Sequence, residues 1–399
     1  SVIIPYFKSK KFIKKSVNSV LNQTYKNFEI IVVDDCSTDN TESIILKFAK
    51  KYKNIIYKKF YHRTSGGCCN TSNLGLDCAT GEYICFVDGD DYIKPNMIDI
   101  LVNTIHKKKL DIVICDYYED INGKIQNAYH DKIYKSVCKN YNKFDIFLIS
   151  PAPWAKIYRK SFLESKKIKF ITGDYFYEDN PFHWLNLINT DKITLIPDKL
   201  IYHRKETERE QTTTNFRIVD NYNLTYFFTV FYNSKNIVSK NSKYSDIYLQ
   251  WVKKYQFLKL IMKHDSKLNT KVVRILNNFI NKKTTYTKDL SIIIPVYKIN
   301  NYTFLDKFTL TLSKYNNIEL IFINDSSKNK KLDTYYQKYD NVYLIKNDKN
   351  IGAGNSRNRA IPIIEGKYSY FFDADDTIDI ELFLKELDIL NKNNYDILH

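Results

Sequence analysis

Two carboxylates one residue apart, Asp88 and Asp90, close an apolar run beginning at Tyr83, and the pattern returns as Asp373 and Asp375 behind Phe371-Phe372. With Gly89 between them, such acids at a strand end can splay toward one point. Hard oxygen ligands there suit Mg²⁺ or Mn²⁺ beside a ribose, and the ion's remaining positions usually go to substrate phosphate oxygens. A solvated Asp/Gly turn after a strand produces the same letters. The duplication tips the balance toward a site.

The elements that must position these acids also repeat. Ser1–Pro5 (SVIIP) returns as Ser291–Pro295 (SIIIP), and an intermediate acidic stop falls at Asp34-Asp35 in one copy and Asn324-Asp325 in the other. From Pro5 to Asp88 is 83 residues, and from Pro295 to Asp373 is 78. A recurring order of strand, acidic end, Gly/Asn-rich loop, strand and acidic end predicts two similar domains. In the first copy Val2–Ile4, Glu29–Val33, Tyr83–Val87 and Ile112–Cys115 read as short buried strands. Helices are expected at Phe12–Leu21 and at Thr41–Lys51, the latter capped by Ser37, Thr38 or Asp39. Apolar strands alternating with helices predict an α/β fold with a mainly parallel sheet covered on both faces. Ligands in such sheets gather at the carboxyl ends of the strands, where both acidic stops fall.

The 399 residues allow two or three domains, and 33 Tyr, 24 Phe and 44% hydrophobic residues supply ample apolar area for cores. Seven scattered Cys without metal spacing suggest reduced thiols in a cytosolic compartment, with Cys68-Cys69 as loop filling. No run of about 18 apolar residues and no signal pattern is present, so a cytoplasmic site is expected. Ser1 starts inside a strand and His399 ends within a domain, as in a piece of a longer protein.

Between Phe216 and Leu290, 12 Lys and 2 Arg face 4 Asp, a net charge of +10 out of the chain's +16. Tyr248, Trp251, Tyr255, Leu258 and Met262 recur at helical steps there. The region reads either as a solvated helix face around a packing stripe or as a surface for anionic lipid headgroups or an acidic glycan. Without a helix-turn-helix, RNA-binding or zinc-finger signature, nucleic acid is not expected.

Taken together, SVIIP, VVDDCSTDNT (Val32–Thr41), Asn73 with Gly75, ATGEYICFVDGDD (Ala79–Asp91), PWAKIYRKSFL (Pro153–Leu163), YED (Tyr177–Asp179) and YHR (Tyr202–Arg204) resemble a family 2 glycosyltransferase of GT-A fold. The resemblance covers about the first 215 residues. It implies a glycosyltransferase domain at 1–215, a basic helical connector at 216–288, and the nucleotide-binding half of a second GT-A domain at 289–399. It further implies a Mn²⁺- or Mg²⁺-dependent inverting transfer from a nucleotide-sugar donor, most simply UDP-linked, to a saccharide or glycolipid acceptor in capsule or lipopolysaccharide synthesis. The enzyme would lie peripherally at the inner face of the membrane.

By the same resemblance Pro5 and Phe7 border the nucleobase, Asp35 accepts from the uracil ring and Asp88 contacts ribose. Asp90 binds the metal, joined by His203, which closes over the diphosphate with Arg204. A packed histidine is the plainer reading of His203. An inverting transfer needs a carboxylate to take the acceptor's proton, a role that falls to Asp179, with Glu178 as fallback. An acidic pair opening a helix is otherwise an ordinary N-terminal cap. Trp154 suits an acceptor pocket or a core equally.

Ser72 departs from the family's Arg, which the second copy keeps as Arg357, while Ala360 replaces its Gly. The second copy matches through Tyr297, Asp325, Arg357, Asp373 and Asp375, but only 24 residues follow Asp375, whereas Asp179 lies 89 residues past Asp90 in the first. An acceptor half and base are therefore not expected in it. Gly352-Ala353-Gly354 starts like a dinucleotide fingerprint, yet Arg357 occupies its last glycine position and no helix-opening turn is expected after a strand there. The rival readings are a nucleotide-sugar-binding scaffold with inert modules and a nucleotidyltransferase; Tyr6-Phe7-Lys8-Ser9 is not the Gly-rich triphosphate loop the latter needs.

Overall fold

A computed structural model describes residues 1–62, 64, 68–128, 146, 149–172, 179–205, 267, 270–271, 274–275, 286–299, 301–326, 330–347, 350–393 and 395–396. Glu178 and most of the 216–288 connector lie outside them. The described residues fall into two compact units, one up to Lys205 and one from Lys267 onward.

In the first unit, β1 (Val2–Tyr6), α1 (Ile13–Leu21), β2 (Ile30–Asp34), α2 (Thr41–Lys51) and β3 (Ile55–Lys59) alternate as expected. Ile13, Ser16, Val17 and Val20 give α1 one buried stripe at i, i+3, i+4 and i+7. The N-cap of α2 is Asn40 rather than Ser37, Thr38 or Asp39, and its side chain makes no cap; Asp39, one residue earlier, accepts from the Thr41 amide (3.1 Å) and hydroxyl (2.6 Å). There follow α3 (Cys69–Cys78), β4 (Tyr83–Phe86), β5 (Tyr92–Ile93), α4 (Met97–Lys107), β6 (Ile112–Ile121), β7 (Lys124–Asn127), a 3₁₀ turn at Pro153–Ala155, β8 (Lys156–Arg159), α5 (Lys160–Ser165), α6 (Asp179–Ile188) and β9 (Ile193–Lys205). The strands order as β3-β2-β1-β4-β8-β6-β9-β5, with β7 on β6. The β3-β2-β1-β4 half is parallel, while β8 runs antiparallel to both β4 and β6.

Two expectations change here. Cys69 is not loop filling: it opens α3 and is fully buried. That helix lies so close to β1 that a Cβ on Gly75 would stand 2.3 Å from Ile3 Cγ2, so only glycine fits. The strand expected at Ile112–Cys115 runs on to Ile121, because its polar end pairs with β7 and β9.

The second unit is β10 (Lys288–Val296), α7 (Thr303–Leu312), β11 (Ile318–Asp325), α8 (Lys331–Lys338), β12 (Val342–Asn347), α9 (Ala353–Ala360), a 3₁₀ turn at Ile361–Ile363, β13 (Gly366–Phe371) and α10 (Ile380–Asn393). Its strands order as β12-β11-β10-β13, all parallel. Their buried side chains form one core with Leu305, Phe308 and Phe383.

Both sheets are pinned at their amino ends by one clasp. The Ser1 hydroxyl donates to Glu29 (2.5 Å) and accepts from the Gly81 amide (2.8 Å), while the Thr80 amide donates to Glu29 (2.7 Å). Ser291, Glu319, Gly366 and Glu365 repeat this at 2.5, 2.8 and 2.8 Å. Glu365 replaces Thr80, and the added carboxylate recruits two connector cations. Lys271 bridges Glu319 (2.5 Å) and Glu365 (2.7 Å), and Arg274 clamps Glu365 through Nε (2.9 Å) and Nη2 (2.5 Å). Lys271, expected on a solvated or lipid-facing surface, has no exposed side chain at all.

Removing one member of a buried ion cluster strands the others. Lys271→Met is expected to destabilise the second unit by about 3–5 kcal/mol, seen as an earlier urea transition by circular dichroism. A wild-type midpoint would show the cluster contributes nothing.

Candidate functional site

The acids of the first unit converge at the carboxyl end of β4. One carboxylate oxygen from each of Asp88, Asp90 and Asp91 lies within 4.8 Å of the others. The turn is closed by the Asp91 amide donating to Asp88 O (3.0 Å), and it packs hard on β1: a Cβ on Gly89 would meet Tyr6 Cβ at 2.6 Å. From α1, the Ser16 hydroxyl donates to Asp88 O at 3.1 Å.

Asp91 is buried and holds the end of β9. It accepts from the Arg204 amide at 2.8 Å and faces His203 Nδ1 at 3.0 Å. Arg204 Nε in turn donates to Asp90 O (2.9 Å), and the guanidinium lies over Phe12 (4.5 Å) and Tyr92 (5.3 Å). Burial alone would lower the His203 pKa, but the Asp91 carboxylate outweighs it and raises it above its ordinary value. The His203 ring stacks on Trp154, centroids 4.8 Å apart and planes 18° off parallel. Trp154 is 5% exposed and also meets Tyr117 edge-on.

Asp88, Asp90, His203, Arg204 and Trp154 are thus brought together. Asp91, which no role was expected for, is the group that joins them; the sequence signal was the third acid of the run. The three carboxylates are the hard oxygen donors that Mg²⁺ or Mn²⁺ takes, so the residues fit such an ion. Asp179 opens α6, where the helix dipole favours a carboxylate, and its charge acts on Lys156 and Tyr158 of β8.

At the ends of β1 and β2, Phe7 is followed by Lys8 at φ 48°, and Asp35 by Cys36 at φ 60°. The Asp35 amide donates to Tyr6 O (3.0 Å), while its carboxylate accepts from the Thr64 amide (2.8 Å) and hydroxyl (2.7 Å). This places Asp35 beside the Pro5–Phe7 strand end.

The second unit repeats this backbone: Lys298 after Tyr297 has φ 52°, Ser326 after Asp325 has φ 66°, and the Asp376 amide donates to Asp373 O at 3.0 Å. A cavity of about 650 Å³ is lined by Pro295, Tyr297, Asp325, Asp373 and Asp375 among others. Arg357 pairs with Asp373, a contact Ser72 cannot offer Asp88. Contrary to expectation, a helix does open after β12: Gly352, at φ 83°, caps α9. The anion place at that helix start is filled from within, since Asp325 accepts from the Ile351 and Gly352 amides, both at 2.9 Å.

Residues 1–173 and 291–399 match the profile of Glycosyl transferase family 2. Over its whole length the chain is 27% identical to an uncharacterized glycosyltransferase of Rickettsia bellii, of which it spans 56%. Glycosyltransferase GlyG of Streptococcus pneumoniae is 30% identical across 52% of this chain and 71% of GlyG. Staphylococcus aureus TarS, a poly(ribitol-phosphate) beta-N-acetylglucosaminyltransferase, is 30% identical over 54% of this chain and 37% of TarS. A crystal structure of TarS residues 1–349 with UDP-GlcNAc superposes with a TM-score of 0.50, covering 71% of this chain and 90% of that one at 22% identity, a likeness of fold.

A raised histidine pKa adds stability that is complete below the unfolded value, about 6.5, and is lost as pH climbs through the folded value. His203→Gln is therefore expected to lower Tm most in mildly acidic buffer and least in alkaline buffer. Equal deficits at both ends would refute the charged pair.

Proposed function

The chain belongs to Glycosyl transferase family 2, and from that premise we propose that its first unit is a metal-dependent inverting hexosyltransferase. It moves a sugar from a UDP-linked donor to a saccharide or glycolipid acceptor in surface polysaccharide synthesis, of the capsule or lipopolysaccharide kind. The observation that carries this reading is the Asp88-Asp90-Asp91 cluster at the carboxyl end of β4, tied to Arg204 and His203. The UDP-GlcNAc bound in TarS and the polymer named as its substrate support the donor and acceptor classes.

Asp88, Asp90 and Asp91 would hold the cation, with the His203 ring bonded to Asp91 beside them, and such an ion would neutralise charge on a departing diphosphate. Phe7 and Pro5 border the base, Asp35 accepts from it and Asp88 meets the ribose. Arg204 closes over the diphosphate. Asp179 takes the acceptor hydroxyl's proton as that oxygen attacks the anomeric carbon opposite the leaving group, and Trp154 borders the acceptor. The second unit binds a nucleotide sugar through Tyr297, Asp325, Asp373 and Asp375, with Arg357 poised to exchange Asp373 for a phosphate.

Among the described residues no helix is long and apolar enough to cross a membrane. Peripheral attachment at the cytoplasmic face fits a glycolipid acceptor and the connector's charge.

The test is UDP release from a panel of UDP-hexoses with MnCl₂. Asp179→Asn is expected to cut turnover by about 100-fold or more while UDP affinity stays unchanged, and Asp90→Asn to lose Mn²⁺-dependent UDP binding. UDP binding without turnover of any donor would favour a binding scaffold instead.

A further inference from the structure

Lys156 is a buried cation that the proposed chemistry does not use. It is 2% exposed at the start of β8, and its ammonium donates to two backbone carbonyls, Ser150 O at 3.0 Å and Ala152 O. Those carbonyls flank the approach to the Pro153–Ala155 turn, so one side chain ties down the segment that carries Trp154. Trp154 stacks on His203, and His203 bonds Asp91 of the acidic cluster.

The strand that carries Lys156 packs on α6. Asp179, Phe182 and His183 stand at i, i+3 and i+4, on one face of that helix. Lys156 and Tyr158, two apart on β8, share the face opposing it. Phe182 meets the Tyr158 ring at 5.6 Å, centroid to centroid. Burial pushes the Lys156 pKa down to about 7, and the charge of Asp179 acts against that fall. Burial also lowers His183, with the positive Lys156 adding to the effect. His183 is thus no rival cation, and Cys115 is held as a neutral thiol by burial, its pKa raised. Among the described residues, Asp179 is the carboxylate whose charge acts on Lys156.

A buried ammonium bonded to carbonyls alone is costly unless a carboxylate compensates it. The tether and the facing charge occur together in one residue, and that residue sits between the two halves of the site.

We propose that Lys156 is a positioning residue for the transfer: it holds Asp179 ionised and aimed across β8 and, through the Ser150 and Ala152 carbonyls, fixes Trp154 against His203. The proposal rests on the reading of Asp179 as base, and it adds the positive group set against that base.

By linkage, what Asp179 does for Lys156 must equal what Lys156 does for Asp179. The first experiment needs no substrate and no change at Lys156. In protein carrying ¹³Cε-lysine, Lys156 is expected to titrate well below the ordinary lysine range, and Asp179→Asn should move its midpoint to still lower pH. An unchanged midpoint overturns the pairing, whatever the variant's activity.

The second experiment measures UDP release from UDP-glucose, UDP-galactose, UDP-GlcNAc and UDP-GalNAc with MnCl₂ across pH. Lys156→Met should lower kcat/KM by about 100-fold and move its acid limb to higher pH, while UDP affinity with Mn²⁺ stays within about twofold. A wild-type acid limb in that variant would sink the positioning role and leave the base assignment standing. Full turnover by Asp179→Asn would sink the base assignment, and the midpoint measurement would still decide the pairing.

Discussion

The structure of the first site hangs on one buried carboxylate. Asp91 turns inward from the end of β4 and takes both the Arg204 amide and the His203 ring, binding the last strand of the sheet to the turn that presents Asp88 and Asp90. A buried carboxylate demands such partners, since leaving it unpaired is expensive. Satisfying Asp91 therefore assembles the site: Arg204 is delivered to Asp90 O, and the His203 ring is delivered to Trp154. The fold brings residues more than a hundred positions apart to one turn by meeting one local need.

Much of this was legible in the sequence because it is written in local signals. The acidic stops, the apolar strands and the repeated SVIIP and SIIIP starts mark the parallel half of the sheet, and periodicity marks α1 and α2. The repeat runs deeper than the letters. Lys8 and Lys298, then Cys36 and Ser326, share a left-handed backbone although the paired residue types differ in the second case.

What stayed hidden depends on distant partners. Nothing near Lys271 announces its burial, because its carboxylates lie 48 and 94 positions away. α3 is built largely from Asn, Thr, Ser, Gly and Cys, poor helix formers individually, and is held by its packing against Ile3 through Gly75. The role of Asp91 was masked by its neighbours: in a run of three acids the spacing singles out the alternating pair, and only burial distinguishes the third. Lys156 likewise reads as one more cation in a Lys-rich chain until its two carbonyl partners are seen.

The Ser–Glu–Gly clasp has a further consequence. It closes each sheet at the amino ends of its strands, while the acids that could do chemistry stand at the carboxyl ends. Foldability and reactivity are thereby written in separate sets of letters. One copy can trade Arg357 for Ser72, or Tyr297 for Phe7, at the rim while the hem stays stitched. After duplication such a scaffold can let its twins drift apart in trade while both remain sound, which is how one ancestral unit could come to serve two employments within a single polypeptide.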